Sequence, residues 1–255
     1  MTRTCWITGA SSGIGRSTAL YFAKNSYTVI ASSRSVEKLN DLVNNCTDLS
    51  LPGRIIALPL DVTITEDVDK SIKYIKKEIK QLDLVILNAG TYIKEDSKSA
   101  TINSTKLMID LNYTSVFNHI ISLQPFVHIL KIKQIAVVSS MAAWRGLPMA
   151  AAYSSSKSAI KTAIESFEID YSNTDLSFRL IYPGFIKTPL TDKNDFKMPF
   201  IIEADKAAEK IYKNLLFSKK FEVSFPLIFS LIMRCISLLP WSIYKWLMIK
   251  KVHKF

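Results

Sequence analysis

Residues 4–15 read TCWITGASSGIG, a short β-branched and apolar run that passes directly into a glycine-rich turn. An amphipathic stretch up to Lys24 follows, so the glycines fall where a strand turns sharply into a helix. Glycine lets the backbone approach a pyrophosphate there, and the helix N-terminus offers free N–H groups and the positive end of its dipole. A plain tight turn is the alternative explanation. We predict a dinucleotide site whose turn residues are Gly9, Ser11, Ser12, Gly13, Ile14 and Gly15.

Beyond this turn, short β-branched runs alternate with amphipathic stretches over the first two thirds of the chain. This alternation predicts an α/β fold with a parallel sheet flanked by helices. Predicted strands cover residues 4–8, 28–32, 55–60, 84–87, 135–139, 177–182 and 221–225, and predicted helices cover residues 15–24, 36–44, 66–80, 105–130, 152–171 and 203–216. We expect one domain over residues 1–225, followed by a hydrophobic and basic helical tail over residues 226–255.

Composition narrows the class of protein. The 255 residues, 48% of them hydrophobic, suffice for one sizeable core. Cys5, Cys46 and Cys235 are far apart, which indicates reduced thiols and argues against a zinc site. The first residues leave no room for a signal peptide, so we expect a cytoplasmic protein.

The net charge of +11 favours an anionic partner. The basic residues are dispersed along the chain and accompany no base-reading motif, so we do not predict nucleic acid binding.

A second motif lies beyond the middle of the chain. Tyr153 and Lys157 are four residues apart, which places a phenol and an ammonium on one helix face. A phenol with a pKa of about 10 is a poor acid or base at neutral pH, and a nearby cation would lower that pKa. Ser140 ends an apolar strand and is placed to hydrogen-bond a substrate carbonyl. Taken alone, such a tyrosine–lysine pair is also common on solvated helices.

The chain resembles the short-chain dehydrogenase/reductase family in the order and spacing of its glycine turn, Asn88-Ala89-Gly90, Ser140, Tyr153 and Lys157, over roughly residues 1–225. The resemblance implies a doubly wound Rossmann domain and hydride transfer between a nicotinamide cofactor and a carbonyl or alcohol carbon. It implies that Tyr153 is the catalytic acid/base, that Ser140 positions the substrate, and that Lys157 lowers the tyrosine pKa and holds the nicotinamide ribose. It further implies that Asn112 sustains a proton-relay water and that the protein is a dimer or tetramer.

The resemblance also implies cofactor contacts at the ends of three strands, where ligands of open α/β sheets bind. Tyr182 departs from the family, in which an asparagine more often stands at that position. The implied contacts are Asp61 and Val62 at the adenine, Asn88, Ala89 and Gly90 beside the ribose, and Pro183, Gly184, Ile186 and Thr188 at the carboxamide.

The choice between NADP and NAD depends on the end of the second strand, where NAD-preferring members carry an acidic residue. Ser33 holds that position here, and Arg34 follows it as a partner for a 2′-phosphate. Arg16 is a weaker second candidate. Against this, Ser12 stands where many NADP enzymes have a basic residue, and a solvated Arg34 is the alternative. We predict NADP(H) as the cofactor, with NAD(H) as the alternative.

The tail is too short and too interrupted by Arg234 and prolines to predict a membrane span. It mixes Trp241, Tyr244 and Trp246 with lysines, which is typical of a membrane interface. We expect peripheral contact with a membrane surface. A subunit interface and a cover over the substrate cleft are the alternatives.

Apolar residues flank the catalytic positions and predict a lipophilic carbonyl or alcohol substrate, although some of them could belong to the core. A non-catalytic nucleotide-binding protein on the same fold is the alternative function. The flanking residues are Met141, Trp144, Leu147, Met149, Phe185 and Leu190.

Overall fold

The computed structural model describes residues 3–192, 195 and 197–252. Its centre is a seven-stranded parallel sheet in the order β3-β2-β1-β4-β5-β6-β9. Strands β7 and β8 form a separate parallel pair. The strands are β1 Thr4–Thr8, β2 Thr28–Ser32, β3 Arg54–Ala57, β4 Leu84–Leu87, β5 Gln134–Val138, β6 Ser177–Pro183, β7 Ile186–Lys187, β8 Ile202–Glu203 and β9 Glu222–Phe225.

Helices connect these strands, and the predicted α/β architecture is confirmed. The helices are α1 Gly13–Lys24, α2 Val36–Asp48, α3 Thr65–Tyr74, α4 Ile102–Ile109, α5 Ser115–Leu123, α6 Val127–Leu130, α7 Ala151–Asp170, α8 Ala204–Phe217, α9 Leu227–Ser237 and α10 Trp241–Val252. The sheet is doubly wound, since the chain builds outward from β1 to β3 and then returns to continue from β4 on the other side of β1. The gap between the carboxyl ends of β1 and β4 is therefore the topological switch point, where such folds bind ligands.

The prediction of one continuous helix over residues 105–130 was wrong. A π-helical turn, Asp110–Thr114, separates α4 from α5, and a 3₁₀ turn, Gln124–Phe126, separates α5 from α6. Pro125 lies in the second break and has no backbone N–H to continue the helical hydrogen bonds. A second π-helical turn, Ile75–Ile79, follows α3. Strand β3 also ends at Ala57 rather than at residue 60.

Two apolar layers enclose the sheet because successive strand residues point to opposite faces. On β1, Trp6 belongs to one layer and Ile7 to the other, and both are fully buried. The tail joins this core through α9, where Phe229 is buried in the same layer as Trp6. No described helix is both long enough and apolar enough to cross a bilayer.

Candidate active site

A cavity of about 480 Å³ opens at the switch point, a volume within the usual range for a small-molecule site. The glycine turn and the loops after β2, β4, β5 and β6 all contribute to its walls. The lining includes the predicted residues Gly9, Ser11, Ser12, Gly13, Ile14, Arg34, Val62, Asn88, Ala89, Gly90, Ser140, Tyr153, Lys157, Pro183, Gly184, Ile186 and Thr188. Gly15, Asp61 and Asn112 are the predicted residues that lie outside this lining.

The glycine turn is held tightly against β4. Gly9 and Gly13 have φ values of +66° and +51°, which side chains rarely adopt. A Cβ on Gly9 would lie 2.8 Å from the Cα of Ala89, and one on Gly15 would lie 2.3 Å from the carbonyl oxygen of Gly9. Gly15 thus serves the packing of α1 against the turn, behind the cavity wall.

Asn88 fastens this turn to the end of β4. Its Nδ2 donates to the carbonyl oxygens of Thr8 at 3.0 Å and Gly9 at 3.2 Å. The backbone N–H groups of Asn88 and Ala89 both donate to the hydroxyl of Thr8. These bonds fix the glycine turn at the start of α1, where backbone N–H groups can meet the pyrophosphate of a dinucleotide.

The catalytic candidates meet on the opposite wall. Tyr153 and Lys157 lie on the first two turns of α7, and Ser140 follows β5 at the start of a short 3₁₀ turn. Lys157 is buried, and its Nζ donates to the carbonyl oxygen of Val138 at 2.9 Å. Burial lowers the pKa of Lys157 to about 8. The pair therefore faces the cavity instead of forming the solvated helix pair that its spacing also allowed.

The expected lowering of the Tyr153 pKa by Lys157 is not seen in this structure. Burial raises the pKa of Tyr153 above its ordinary value, and a hydrogen bond with Ser140 opposes part of that rise. Desolvation of the phenolate is the larger effect. Tyr153 is therefore a protonated phenol at neutral pH.

Asn112 lies in the π-helical turn between α4 and α5 and is 1% exposed. Its Oδ1 accepts from the backbone N–H of Thr91 at 2.7 Å, while its Nδ2 donates to the Thr91 carbonyl at 2.9 Å and to Ser156 Oγ at 3.0 Å. A Cβ on Gly90 would lie 3.0 Å from Asn112 Oδ1 and 3.4 Å from Lys157 Nζ. Asn112 thus holds the segment that follows β4 beside Lys157.

The far end of the cavity carries positive charge. Arg34 is 73% exposed, and its guanidinium lies 3.9 Å from the carboxylate of Asp61. Ser33, Ser35 and Lys38 line the same end, and Ser35 caps α2 by accepting from the backbone N–H of Lys38. Lys38 was missed in the sequence, although its place in the first turn of α2, four residues after Arg34, was a usable signal.

The segment after β6 closes the cavity near Thr188. Thr191, also missed, lines the cavity and accepts from the backbone N–H of Thr188 at 3.0 Å. Its hydroxyl donates to the carbonyl oxygen of Ile186 at 2.6 Å, which folds the segment back on itself. Tyr182 is fully buried, with its ring 5.2 Å from that of Trp144, so this departure from the family pattern serves the core.

The expected apolar pocket is only partly formed by the residues predicted for it. Leu190 lines the cavity, whereas Met141 is 2% exposed within the core, and Trp144 and Phe185 pack against that core. These side chains were ambiguous in sequence because core and pocket residues are equally apolar.

The loop after Ser140 is fastened to the tail. Arg145 Nη1 donates to the carbonyl oxygens of Ser237 at 2.7 Å and Leu239 at 2.5 Å, at the C-terminal end of α9. Its guanidinium lies 4.2 Å from the ring centroid of Tyr244, and the Tyr244 hydroxyl donates to the Gly146 carbonyl at 2.5 Å. We call these contacts the Arg145 clamp. They link α9 and α10 to the loop between Ser140 and Tyr153.

Comparison with known proteins finds a matching family model and related oxidoreductases. Residues 3–198 match the family model described as short chain dehydrogenase. The chain is 35% identical over 224 residues to an uncharacterized oxidoreductase of Myxococcus xanthus, covering 88% of this chain and 87% of that protein. It is 30% identical over 198 residues to a 3-oxoacyl-acyl-carrier-protein reductase of Thermotoga maritima, covering 75% and 77%.

Two solved structures share the fold at low sequence identity. An alcohol dehydrogenase of Thermococcus sibiricus complexed with 5-hydroxy-NADP has a TM-score of 0.78 at 23% identity, covering 88% of this chain and 94% of that one. A short chain dehydrogenase/reductase of Burkholderia phymatum in complex with NAD has a TM-score of 0.80 at 17% identity, covering 91% and 92%.

Proposed function

Because the chain belongs to the short chain dehydrogenase family, we propose that it is an NADP(H)-dependent oxidoreductase that interconverts a carbonyl and an alcohol. The observation that carries this proposal is a single cavity walled by the glycine turn on one side and by Ser140, Tyr153 and Lys157 on the other. A site for the cofactor and a site for proton transfer thus open into the same space. The non-catalytic alternative has no observation of its own in its favour.

The proposed roles follow from the positions of the side chains. When bound, the nicotinamide cofactor supplies or accepts the hydride. Ser140 hydrogen-bonds the substrate oxygen and the Tyr153 hydroxyl, and Tyr153 donates its proton to that oxygen as negative charge develops. Lys157, held by the Val138 carbonyl, would contact the ribose and provide positive charge at the cavity wall.

Tyr153 is suited to act as the proton donor when a carbonyl is reduced. Burial raises the pKa of Tyr153, so the phenol carries the proton that a reduced carbonyl must receive. Asn112 holds Thr91 and therefore positions the wall next to Lys157. We propose that a relay water returns the proton to the site from this side.

The preference for NADPH rests on the basic end of the cavity. Arg34 and Lys38 provide two cations there, with Ser33 and Ser35 as hydroxyl donors, and none of the described lining residues is acidic. A 2′-phosphate would replace Asp61 as the nearest anion to Arg34, and Asp61 would turn to the adenine together with Val62. Gly90 would lie beside the ribose, and Thr188 at the carboxamide.

We propose a lipophilic carbonyl substrate, since Leu190 and Leu111 line the cavity and the apolar tail is clamped to the loop after Ser140.

We further propose a cytoplasmic homo-oligomer with peripheral membrane contact through α9 and α10. Exposed apolar side chains on α4, α5 and α7 suit a subunit contact, namely Leu107, Ile121 and Ile169.

The test is NADPH consumption over aldehydes and ketones graded by chain length and ring size, with NADH in parallel. The proposal predicts turnover that rises with apolar bulk and a higher catalytic efficiency with NADPH than with NADH. Tyr153→Phe serves as the blank. Cofactor binding without turnover of any carbonyl would favour the non-catalytic alternative, and a clear NADH preference would overturn the cofactor assignment.

A further inference from the structure

The outer side of the tail is an extended apolar surface, which we call the tail surface and define as the exposed side chains of residues 227–250. Its large apolar members are 41% to 83% exposed. A large contiguous patch of exposed apolar side chains usually marks a site that binds a partner, a ligand or a membrane. These members are Leu227, Ile228, Leu231, Ile232, Leu238, Trp241, Ile243, Trp246 and Ile249.

The exposed apolar side chains of α9 lie on one side of the helix. At 3.6 residues per turn, positions 227, 228, 231 and 232 fall within roughly 140° of one another around the helix axis. The opposite side carries Phe229 and Ser230, which are 8% and 2% exposed against the domain. The helix is therefore anchored by one face and presents an apolar stripe on the other.

The charged side chains of this region are all positive. The 33 residues after Glu222 contain five lysines and arginines and no aspartate or glutamate. Lys245, between Trp241 and Trp246, and Lys250, one turn after Trp246, are both exposed on α10, and Lys250 Nζ lies 4.0 Å from the ring centroid of Trp246. Lysine stems beside indole rings are suited to a boundary where an apolar phase meets an anionic layer.

We propose that the tail surface binds the surface of an anionic lipid bilayer. The apolar stripe of α9 and the rings of Trp241 and Trp246 enter the headgroup region, and Lys245 and Lys250 meet the lipid phosphates and carboxylates. The helices lie in the plane of the interface, in keeping with the finding that no described helix is able to span a bilayer.

A second copy of the chain is a poorer occupant. A two-fold contact places the same patch against itself, so the cations of α10 would face one another with no acidic residue of the tail to pair with them. The carboxylate of Glu222 on β9 is already paired with Arg234. An anionic bilayer satisfies both the apolar stripe and the lysines.

The test is flotation of the full chain with vesicles of phosphatidylcholine alone and of phosphatidylcholine with a minority of phosphatidylserine. We expect flotation with the anionic vesicles and little with the neutral ones. Tryptophan emission gives a second readout, because Trp241 and Trp246 are exposed whereas Trp6 is buried and Trp144 packs against the core. Emission should shift to the blue on addition of anionic vesicles.

The variant Lys245→Glu/Lys250→Glu should lose about tenfold or more in affinity for the anionic vesicles, since each lysine near such a surface contributes roughly 1 kcal/mol. Its control, Lys73→Glu/Lys210→Glu, changes net charge equally at exposed lysines of α3 and α8 and should bind as the parent does. Neither pair lies in the proposed active site, so NADPH turnover without vesicles separates this proposal from the proposed function.

Three results would overturn the proposal. The full chain could stay in the soluble fraction with both vesicle types. The control could lose binding as much as the tail variant does, which would show a dependence on net charge alone. The tail variant could instead change the assembly state measured by light scattering, which would identify the tail surface as a contact between copies.

Discussion

At the residue scale, the proposed preference for NADPH can be tested at the basic end of the cavity. Arg34→Ala should lower kcat/KM with NADPH by about tenfold, because a charge-assisted hydrogen bond to a phosphate contributes roughly 1.5 kcal/mol or more. The value with NADH should stay nearly unchanged. Arg16→Ala is the control, since Arg16 lies outside the cavity lining and should leave both cofactors unaffected. Equal losses with NADPH and NADH would show that Arg34 does not distinguish the two cofactors.

Much of the candidate site was predictable residue by residue, because its chemistry resides in short motifs with fixed spacing. Tyr153, Lys157 and Ser140 all line the predicted cavity. Lys38 and Thr191 were not found, since their role depends on the fold of α2 and of the segment after β6 rather than on a motif. The direction of the Tyr153 pKa shift could not be predicted from the sequence either. The four-residue spacing places Lys157 nearby, but the burial that raises the pKa of Tyr153 depends on the folded structure.

At the scale of elements, the Arg145 clamp connects the tail to the active site. Arg145→Gln removes the charged donor to the carbonyl of Ser237, at the end of α9, and to that of Leu239 just beyond it, so the loop after Ser140 should loosen. We expect a severalfold higher KM for the carbonyl substrate with an unchanged Kd for NADPH. Arg54→Gln, on the far edge strand β3, is the matched control. Equal weakening of substrate and cofactor would argue against a positioning role for the clamp.

Strands were easier to predict than helix continuity. The strands at residues 4–8, 28–32 and 84–87 agree residue for residue with β1, β2 and β4, because a buried parallel strand is a short apolar run with clear ends. The break at Asp110–Thr114 escaped prediction, since a π-helical turn keeps an apparently helical pattern of apolar residues. Asn112 lies in that break, where its amide reaches Thr91.

At the scale of the whole molecule, stability should depend on pH through His119. The side chain is 1% exposed, and its Nε2 has no hydrogen-bond partner within the described residues. Burial lowers the pKa of His119 from 6.5 to about 4. The unfolded chain therefore binds the proton more tightly, and the free energy of unfolding falls as the pH drops from about 6.5 to about 4.

The expected loss across this interval is about 3 kcal/mol from His119 alone. Denaturant unfolding at several pH values measures it. His119→Gln should show a correspondingly smaller loss than the parent, and His128→Gln, at an exposed position, should behave as the parent does. The same pH dependence in all three proteins would assign the loss to carboxylates instead.

The overall architecture was predictable because alternating strands and helices leave few topologies other than a parallel sheet with helices on both faces. The position of the tail was not, since a helix that is apolar on most sides gives no indication of which side meets the domain. The buried Phe229 and Tyr244 show how α9 and α10 attach.

Turnover by Tyr153→Phe with NADPH tests most directly the proposal that this molecule transfers hydride with Tyr153 as its proton donor. The substitution keeps the ring and removes only the hydroxyl. We predict a fall in kcat of roughly 10²–10⁴-fold, with the NADPH Kd of the parent retained. Tyr92→Phe, whose ring centroid lies 5.0 Å from that of Tyr153, should keep its activity. Parent-like turnover in Tyr153→Phe would show that Tyr153 is not the proton donor.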